Sequence, residues 1–327
     1  MSIAVVILNW NGKKLLEKNL FNIIDKSNKS NIYVIDNCSS DGSQEYIRKR
    51  FPSVNLIELN KNYGFAEGYN IGLKKVSEEL ICIMNNDIEV SDKWLNPIFR
   101  HFDNYPDSIV QPFILDSKNP KLFEYAGAAG GYIDKYGYPY CRGRIFDSIE
   151  ENNGQYKDEK IFWASGACMI ISKKIFIELN GFDDYFFAHM EEIDLCWRAF
   201  NKGYECFSIA DSYVYHEGAV SIKRNSKKIF LNYRNSLVML TKNLPINLLL
   251  KRLSIRIILD LISALRYLFN GKINYSYAIF KAHVEYFKIV SKILNQRDNN
   301  LKNQKYFGVN SIVIDYFVFG KKKFFRL

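Results

Sequence analysis

Short apolar runs alternate with stretches of helical period along the first ninety residues. Ile3–Leu8 reads as a buried strand and Lys13–Asp25 as a helix. The pattern repeats: strand 32–35, helix Ser43–Arg50, strand Val54–Leu59, helix Phe65–Val76, strand Leu80–Met84. Strands and helices alternating at this spacing predict an α/β fold, a mostly parallel sheet with flanking helices. Ligands bind such sheets beyond the carboxyl ends of the strands. Asn9, Asp36 and Asp87 fall at those ends, so three strand tips converge on one crevice. Residues 106–160 are rich in Gly, Pro, Tyr and Asp and read as loop-dominated. From 223 onward the chain turns to Lys-, Asn- and Leu/Ile-rich helix. On a helical wheel of 248–269, Arg252, Arg256, Asp260, Ser263 and Arg266 share one face. Leu250, Leu253, Ile257, Leu261, Ala264, Leu265 and Leu268 share the other.

Charge sharpens that division. Residues 1–222 carry 31 acidic against 24 basic side chains, and 223–327 carry 4 against 21. A basic appendage of this kind suits an anionic partner: a membrane surface, a nucleic acid or a polyanion. With 327 residues, 48% hydrophobic, the chain is globular and long enough for more than one domain. The six cysteines show no CxxC spacing, and most sit in apolar runs. They read as reduced core residues of a cytoplasmic protein. The first apolar run is too short for a signal peptide and lacks a basic flank. No run of about 18 uncharged apolar residues occurs, so no spanning helix is expected.

Several clusters could carry chemistry. Asp36 could accept hydrogen bonds from a base or ribose, or serve only the turn at Ser39-Ser40-Asp41-Gly42. Gly64, Gly68 and Gly72 would let a helix lie close to a ligand or to a neighbouring strand. In Asn85-Asn86-Asp87, the carboxylate suits a hard divalent cation such as Mg²⁺ or Mn²⁺, and the amides suit ribose or phosphate. Glu191 and Asp194 are near neighbours on one helix face, with Glu192 pointing about 100° away. Crowded carboxylates raise one another's pKa, which favours a general base. Apolar neighbours on both sides, Phe186-Phe187 and Leu195-Cys196-Trp197, argue against a solvated helix start. His216 follows an apolar run, and His189 competes with it as a functional histidine. A zinc hydrolase would want HEXXH, which is absent.

Taken in order, these segments resemble family-2 glycosyltransferases of GT-A fold, especially the rhamnosyltransferase-like branch of bacterial surface polysaccharide synthesis. The resemblance covers about residues 1–240. It rests on VVILNWNG, VIDNCSSDGS, NYGFAEGYNIG, IMNND, YAGAAGGYIDKYG, SGACMIISK, GFDDYFFAHMEEIDLCWR, YHEGAVS and YRN. It implies a nucleotide-sugar-binding catalytic domain over 1–222 and a basic amphipathic helical region over 223–327. Asn9 and Asp36 would hold the nucleoside, and Asn62, Gly64 and Asn70 would line the donor site. Asn85 and Asn86 would bond donor ribose or phosphate, with Arg234 as an extra cation. Asp87 and His216 would bind Mn²⁺ or Mg²⁺. Trp163, Ser165 and Gly166 would lie on the acceptor side. Glu192 stands where the family usually has an aspartate base, with Asp194 and Glu191 as alternatives. Asn85-Asn86 replaces a more acidic metal motif, which removes negative charge that donor phosphates can supply.

The implied activity is inverting, metal-dependent transfer from a nucleotide-diphosphate sugar, dTDP-rhamnose or UDP-hexose, to a saccharide or lipid-linked saccharide. The implied location is cytoplasmic, peripheral at the inner face of the membrane, and no nucleic-acid partner is expected. A sugar-nucleotide pyrophosphorylase would need a Gly-rich basic N-terminal loop, which Asn9-Trp10-Asn11-Gly12 does not supply. A processive synthase would show Gln-x-x-Arg-Trp and spanning helices. The alternative from another class is a non-catalytic nucleotide-binding adaptor with a membrane- or nucleic-acid-binding tail.

Overall fold

A computed structural model describes residues 1–218, 225–298, 301–302 and 304–327. The Ala219-Val220-Ser221 end of YHEGAVS and the expected boundary at 222/223 lie outside the described residues. The main sheet is built from β1 (Ile3–Asn9), β2 (Ser30–Asp36), β3 (Asn55–Glu58), β4 (Leu80–Asn85), β5 (Ile88–Val90) and β6 (Ser108–Asp116). A small second sheet holds β7 (Gly131–Ile133), β8 (Pro139–Cys141), β9 (Arg144–Ile145) and β10 (Ser148–Ile149). The main sheet resumes with β11 (Glu159–Ile161), β12 (Cys168–Ser172) and β13 (Glu205–His216). The helices are α1 (Lys13–Lys26), α2 (Ser43–Arg50), α3 (Gly64–Gly72), α4 (Leu95–Asn104), α5 (Lys173–Glu178) and α6 (Glu191–Asn201). They continue with α7 (Ser226–Asn243), α8 (Ile246–Phe269), α9 (Ile273–Gln296) and α10 (Ile312–Phe317).

Uninterrupted apolar strands are explained by two cores. Ala4 and Val6 of β1 join the core on one face of the sheet, and Ile3, Val5 and Ile7 the core on the other. β4 divides in the same way, with Ile81 and Ile83 against Leu80, Cys82 and Met84. A strand covered on both faces needs apolar residues at every position.

The sheet runs β11-β13-β6-β12-β4-β1-β2-β3, with β5 paired to β13. β1 to β4 pair in parallel as their spacing predicts, and β6 with β13 likewise. β12 is antiparallel to β4 and β6, and β13 to β5 and β11. The sheet is therefore mixed rather than mostly parallel. The loop reading of 106–160 also needs correction, because β6 is a nine-residue strand buried but for its last residue. Pro112 hides it in the sequence, since proline lacks the N–H a central strand donates. β13 shifts register between Ile209 and Tyr213, beside Pro112 and Phe113, so the ladder is already irregular there.

Five of the six cysteines are buried and all are free; Cys38 is exposed. No helix among the described residues is long and apolar enough to cross a membrane. α8 has the two faces its wheel predicts, with unexpected burial. Arg252, Arg256 and Asp260 are buried. Leu250, Leu261, Leu265 and Leu268 are exposed, and from that face Leu253 and Ile257 touch the core. The buried charges are paired: Arg256 Nε donates to Asp260 Oδ1 at 2.9 Å, and Tyr138 Oη donates to the same oxygen at 2.6 Å. His283 Nε2 lies 3.2 Å from Asp260 Oδ2.

Candidate active site

The tips of β1, β2 and β4 meet in one hydrogen-bonded cluster. Asn9 Nδ2 donates to Asp36 Oδ2 at 3.1 Å, and Asn86 Nδ2 donates to Asn9 Oδ1 at 3.0 Å. Asp36 Oδ1 accepts from Ser39 N and Gln44 Nε2 at 2.8 and 2.6 Å. Asn9 and Asp36 are fully buried, so as placed they shape the crevice and hold its Ser39 loop. Asn62 Oδ1 accepts from Asn37 Nδ2 and Gly64 N, closing the turn that starts α3.

Gly64 has φ of +77°, and a Cβ there would stand 2.7 Å from the Phe187 ring. The contact continues through the backbone, where Phe65 N donates to Phe187 O at 2.9 Å. Asn70 makes the same connection from the far end of α3. Its amide donates to Phe182 O and Asp184 Oδ1 and accepts from Phe182 N. The segment expected to line the donor site thus also clamps the loop that leads into α6. Gly72 serves packing, its Cα lying against Ile35 of β2.

Past β4 the chain turns at Asn85-Asn86-Asp87, and β13 brings His216 beside it through its pairing with β5. His216 Nε2 lies 3.0 Å from Asp87 Oδ1 and 3.5 Å from Asn85 Nδ2. His216 Nδ1 lies 3.1 Å from Glu124 Oε2, an ion-pair contact. All three side chains are buried. Burial disfavours a charged imidazole, but Asp87 and Glu124 outweigh it and raise His216 to about 10.

Once His216 gives up its Nε2 proton, the pair could hold a divalent cation. Adjacent corners of an octahedron with bonds of about 2.1 Å lie about 3 Å apart, which is the spacing of these two donor atoms. A carboxylate behind the second ring nitrogen is the usual support of a metal-bound histidine. Among the described residues no group of three or more His, Cys, Asp or Glu is placed to hold an ion, so the pair by itself does not make a metal site.

The acidic cluster opens α6. Phe187, His189 and Met190, just before it, take φ of 60°, 70° and 74°. That backbone is held from α7, where Asn235 Nδ2 donates to the carbonyls of Phe186, Ala188 and His189. Arg234 joins it. Its guanidinium donates to Tyr185 O and Phe186 O and lies 4.6 Å from the Tyr185 ring centroid. The YRN segment therefore pins the loop, and Arg234 is placed on that loop rather than free for a diphosphate.

Glu191 and Glu192 line a cleft of about 350 Å³, together with Asn85, His216, Trp163, Ser165 and Gly166. One oxygen of each glutamate, Oε2, has no protein partner. Burial is the main cause that pushes Glu192 up to about 6; it raises Glu191 further, with Glu192's charge adding to the effect. His189 also lines the cleft, lowered to about 4 by burial and by Lys228.

Asp194 does not line the cleft, which counts against it as the alternative base, although its charge still reaches Glu191. Its carboxylate is fully buried and accepts from Arg198 Nε at 2.7 Å and Asn243 Nδ2 at 2.8 Å, with Lys242 Nζ at 3.4 Å. Burial opposes its charge, yet Lys242 and Arg198 prevail and lower its pKa.

The acceptor-side residues form walls. Trp163 Nε1 donates to Tyr132 O at 2.8 Å. Ser165 N is held by Gln111 Oε1 at 2.9 Å, and its hydroxyl donates to Ala126 O. A Cβ on Gly166 would meet the Phe65 ring at 3.3 Å and Glu192 Cβ at 3.6 Å, so a larger residue there crowds the glutamate. Sequence reasoning missed Glu124 and the buried Arg144, whose guanidinium stacks 3.9 Å over Tyr125 in the cleft wall, and quoted Asn235 within YRN without giving it a role. Glu124 adjoins the Tyr125-Ala126-Gly127 segment, the one signal that pointed near it.

Strand tips gathered on one crevice, an Asp–His pair beside it and a carboxylate-lined cleft define a GT-A glycosyltransferase. The family model of glycosyl transferase family 2 matches residues 4–179, and the chain belongs to that family. It is similar to the low-salt glycan biosynthesis hexosyltransferase Agl10 of Haloferax volcanii, 25% identical over 86% of this chain and 89% of Agl10. It is also similar to the N-acetylglucosaminyl-diphospho-decaprenol L-rhamnosyltransferase of Mycobacterium tuberculosis. That identity is 22%, over 59% of this chain and 68% of the relative. A solved mannosyltransferase from Pyrobaculum calidifontis, in complex with GDP-Man and Mn²⁺, shares the fold. Its TM-score is 0.54 at 14% identity, covering 87% of this chain and 86% of that one.

Proposed function

We propose that this glycosyltransferase performs an inverting, metal-dependent transfer from a nucleoside-diphosphate sugar to a saccharide or lipid-linked saccharide in surface glycan assembly. The observation that carries the reading is Glu192: a carboxylate on the cleft wall, one oxygen unpartnered, raised to about 6. Such a group is ionised at neutral pH and basic enough to accept a proton. Glu192 takes the proton of the acceptor hydroxyl, the acceptor oxygen bonds to the anomeric carbon, and the carbon–oxygen bond to the diphosphate breaks. Orientation of the two substrates supplies much of the rate.

Asp87 and His216 would hold Mn²⁺ or Mg²⁺, with donor phosphates completing the shell. A cation held there would supply stabilisation of negative charge on the departing diphosphate. The mannosyltransferase neighbour, solved with GDP-Man and Mn²⁺, supports a divalent metal. Donor assignment stays with the two classes that the resemblance implies, dTDP-rhamnose and UDP-hexose. One relative is a hexosyltransferase and another a rhamnosyltransferase, so both classes stay open. The relative named for a diphospho-decaprenol substrate supports a lipid-linked acceptor; the cytoplasmic membrane face remains the proposed site of action. The catalytic unit would span 1–222, with 223–327 as a basic helical region whose first helix, α7, braces the catalytic loop.

A panel of nucleotide sugars with Mn²⁺ or Mg²⁺ tests the reading by thermal shift and donor turnover. One donor class should raise the melting temperature by mass action and release nucleoside diphosphate. Turnover unaffected by chelator, or Glu192→Gln turning over at the wild-type rate, overturns it.

A further inference from the structure

α8 and α9 both turn apolar rows to solvent. On α8 the row includes Leu250, 77% exposed, Leu265, and Phe269, 86% exposed. On α9 it runs Ile273, Tyr277, Phe280, Val284 and Phe287, at the three- and four-residue steps of one helix face. The opposite face of α9 is buried through Ala278, Ile279, Ala282, His283 and Tyr286. The rows run into each other at the turn between the helices, where Phe269 and Ile273 are both exposed. An apolar surface of this extent on a soluble protein marks an interaction site.

The charges beside it select the partner. Lys251, Lys272, Lys281, Lys288, Lys322 and Lys323 are exposed, while Asp260 of the same region is buried in its ion-pair cluster. Residues 223–327 carry 21 basic and 4 acidic side chains. A second copy of this chain would set that charge against itself. An anionic membrane matches both components, with acyl boundary for the apolar rows and headgroups for the lysines.

We propose that α8, α9 and the basic C-terminal tail seat this protein in the plane of an anionic membrane surface. The seat is continuous with the cleft. Phe146 lines the cleft, and its ring lies 5.0 Å from Tyr316 and 5.1 Å from Phe317 of α10. Arg266 of α8 stacks 4.4 Å over Phe317, and Val318 and Phe319 beside it are exposed. A lipid-linked acceptor whose tail stays in the bilayer would present its headgroup at that wall. This last step rests on the transfer reading; the seat itself does not.

Flotation of the full chain with phosphatidylcholine vesicles of rising phosphatidylglycerol content tests the seat. Binding should grow with anionic lipid and fall with salt. Phe269→Glu with Phe280→Glu, both at exposed positions, should lower binding about tenfold or more, with an unchanged circular dichroism spectrum and unchanged donor turnover without vesicles. Lys281→Glu with Lys288→Glu should lower binding to anionic vesicles alone. Equal binding to neutral vesicles, or wild-type binding by the Phe variant, overturns the proposal. So does a dimer in vesicle-free solution that the Phe variant dissociates. Wild-type protein that binds vesicles and turns over no donor supports the seat and counts only against the transfer reading.

Discussion

Arg198 Nε donates to Asp194 Oδ2 across 2.7 Å, one turn further along α6. Lys242 and Asn243 of α7 approach the same carboxylate from the other side. Asp194 is therefore an anchor between α6 and α7. Asp194→Asn should cost about 3 kcal/mol of stability by leaving two cations underpaired. Chemical denaturation measures that loss, and donor turnover per folded molecule should stay near wild type. A dead, fully stable Asp194→Asn would instead make Asp194 the base.

Glu192→Gln should behave in the opposite way. The substitution is nearly isosteric and should lower the catalytic rate about 10²–10⁴-fold, with donor affinity little changed. In the wild type, transfer should rise with pH to a plateau with a midpoint near 6, as the side chain loses its proton. The variant's residual activity should lack that midpoint. Steady-state kinetics from pH 5 to pH 8 in about half-unit steps decide it.

The same substitution should stabilise the protein at neutral pH. Burial raises Glu192 from the ordinary glutamate value of 4.5 to about 6 in the folded state. The folded protein therefore favours the protonated side chain. This favourable contribution is fully present below the unfolded value and is lost as pH rises through about 6. Above that, Glu192→Gln should exceed wild type by up to about 2 kcal/mol. Near pH 4 the two melting temperatures should converge. A variant less stable than wild type at pH 8 would contradict the burial argument.

Asp87 and Glu124 reach His216 from opposite ring nitrogens, which predicts two grades of metal loss. Asp87→Ala removes a proposed ligand and should abolish Mn²⁺ binding in the presence of nucleoside diphosphate. Glu124→Gln leaves both ligands but weakens the support behind His216, and should lower metal affinity about 10–100-fold. Electron paramagnetic resonance of titrated Mn²⁺ reads both without reference to turnover. Unchanged affinity in both variants would remove the metal from this pair.

Much of the catalytic half was legible because its signals are local. Ile3–Ile7 and Leu80–Met84 are apolar at every position, since both faces of those strands are covered. The polar residues that follow must then fall at strand tips, so Asn9, Asp36 and Asp87 could be assigned to the strand ends from the sequence alone. The ordered motifs fixed the family for the same reason: each is a short segment whose spacing survives in the sequence. β6 escaped this reading because Pro112 hides in a ladder already made irregular by its partner.

What the sequence left open depends on partners distant along the chain. Three acids within four residues of α6 differ only in what surrounds them. Asp194 meets Arg198 and the α7 residues Lys242 and Asn243, whereas Glu192 meets the cleft. Glu124 became a support of His216 only when β13 brought the histidine beside it. The wheel of α8 correctly separated a charged from an apolar face and could not say which turns inward. Tyr138 from the turn between β7 and β8 and His283 from α9 decided that by bonding Asp260, which makes burial of the charged face tolerable and leaves the leucines outside. Periodicity is set by neighbours along the chain; protonation and burial are set by neighbours in space, and only the tertiary structure supplies those.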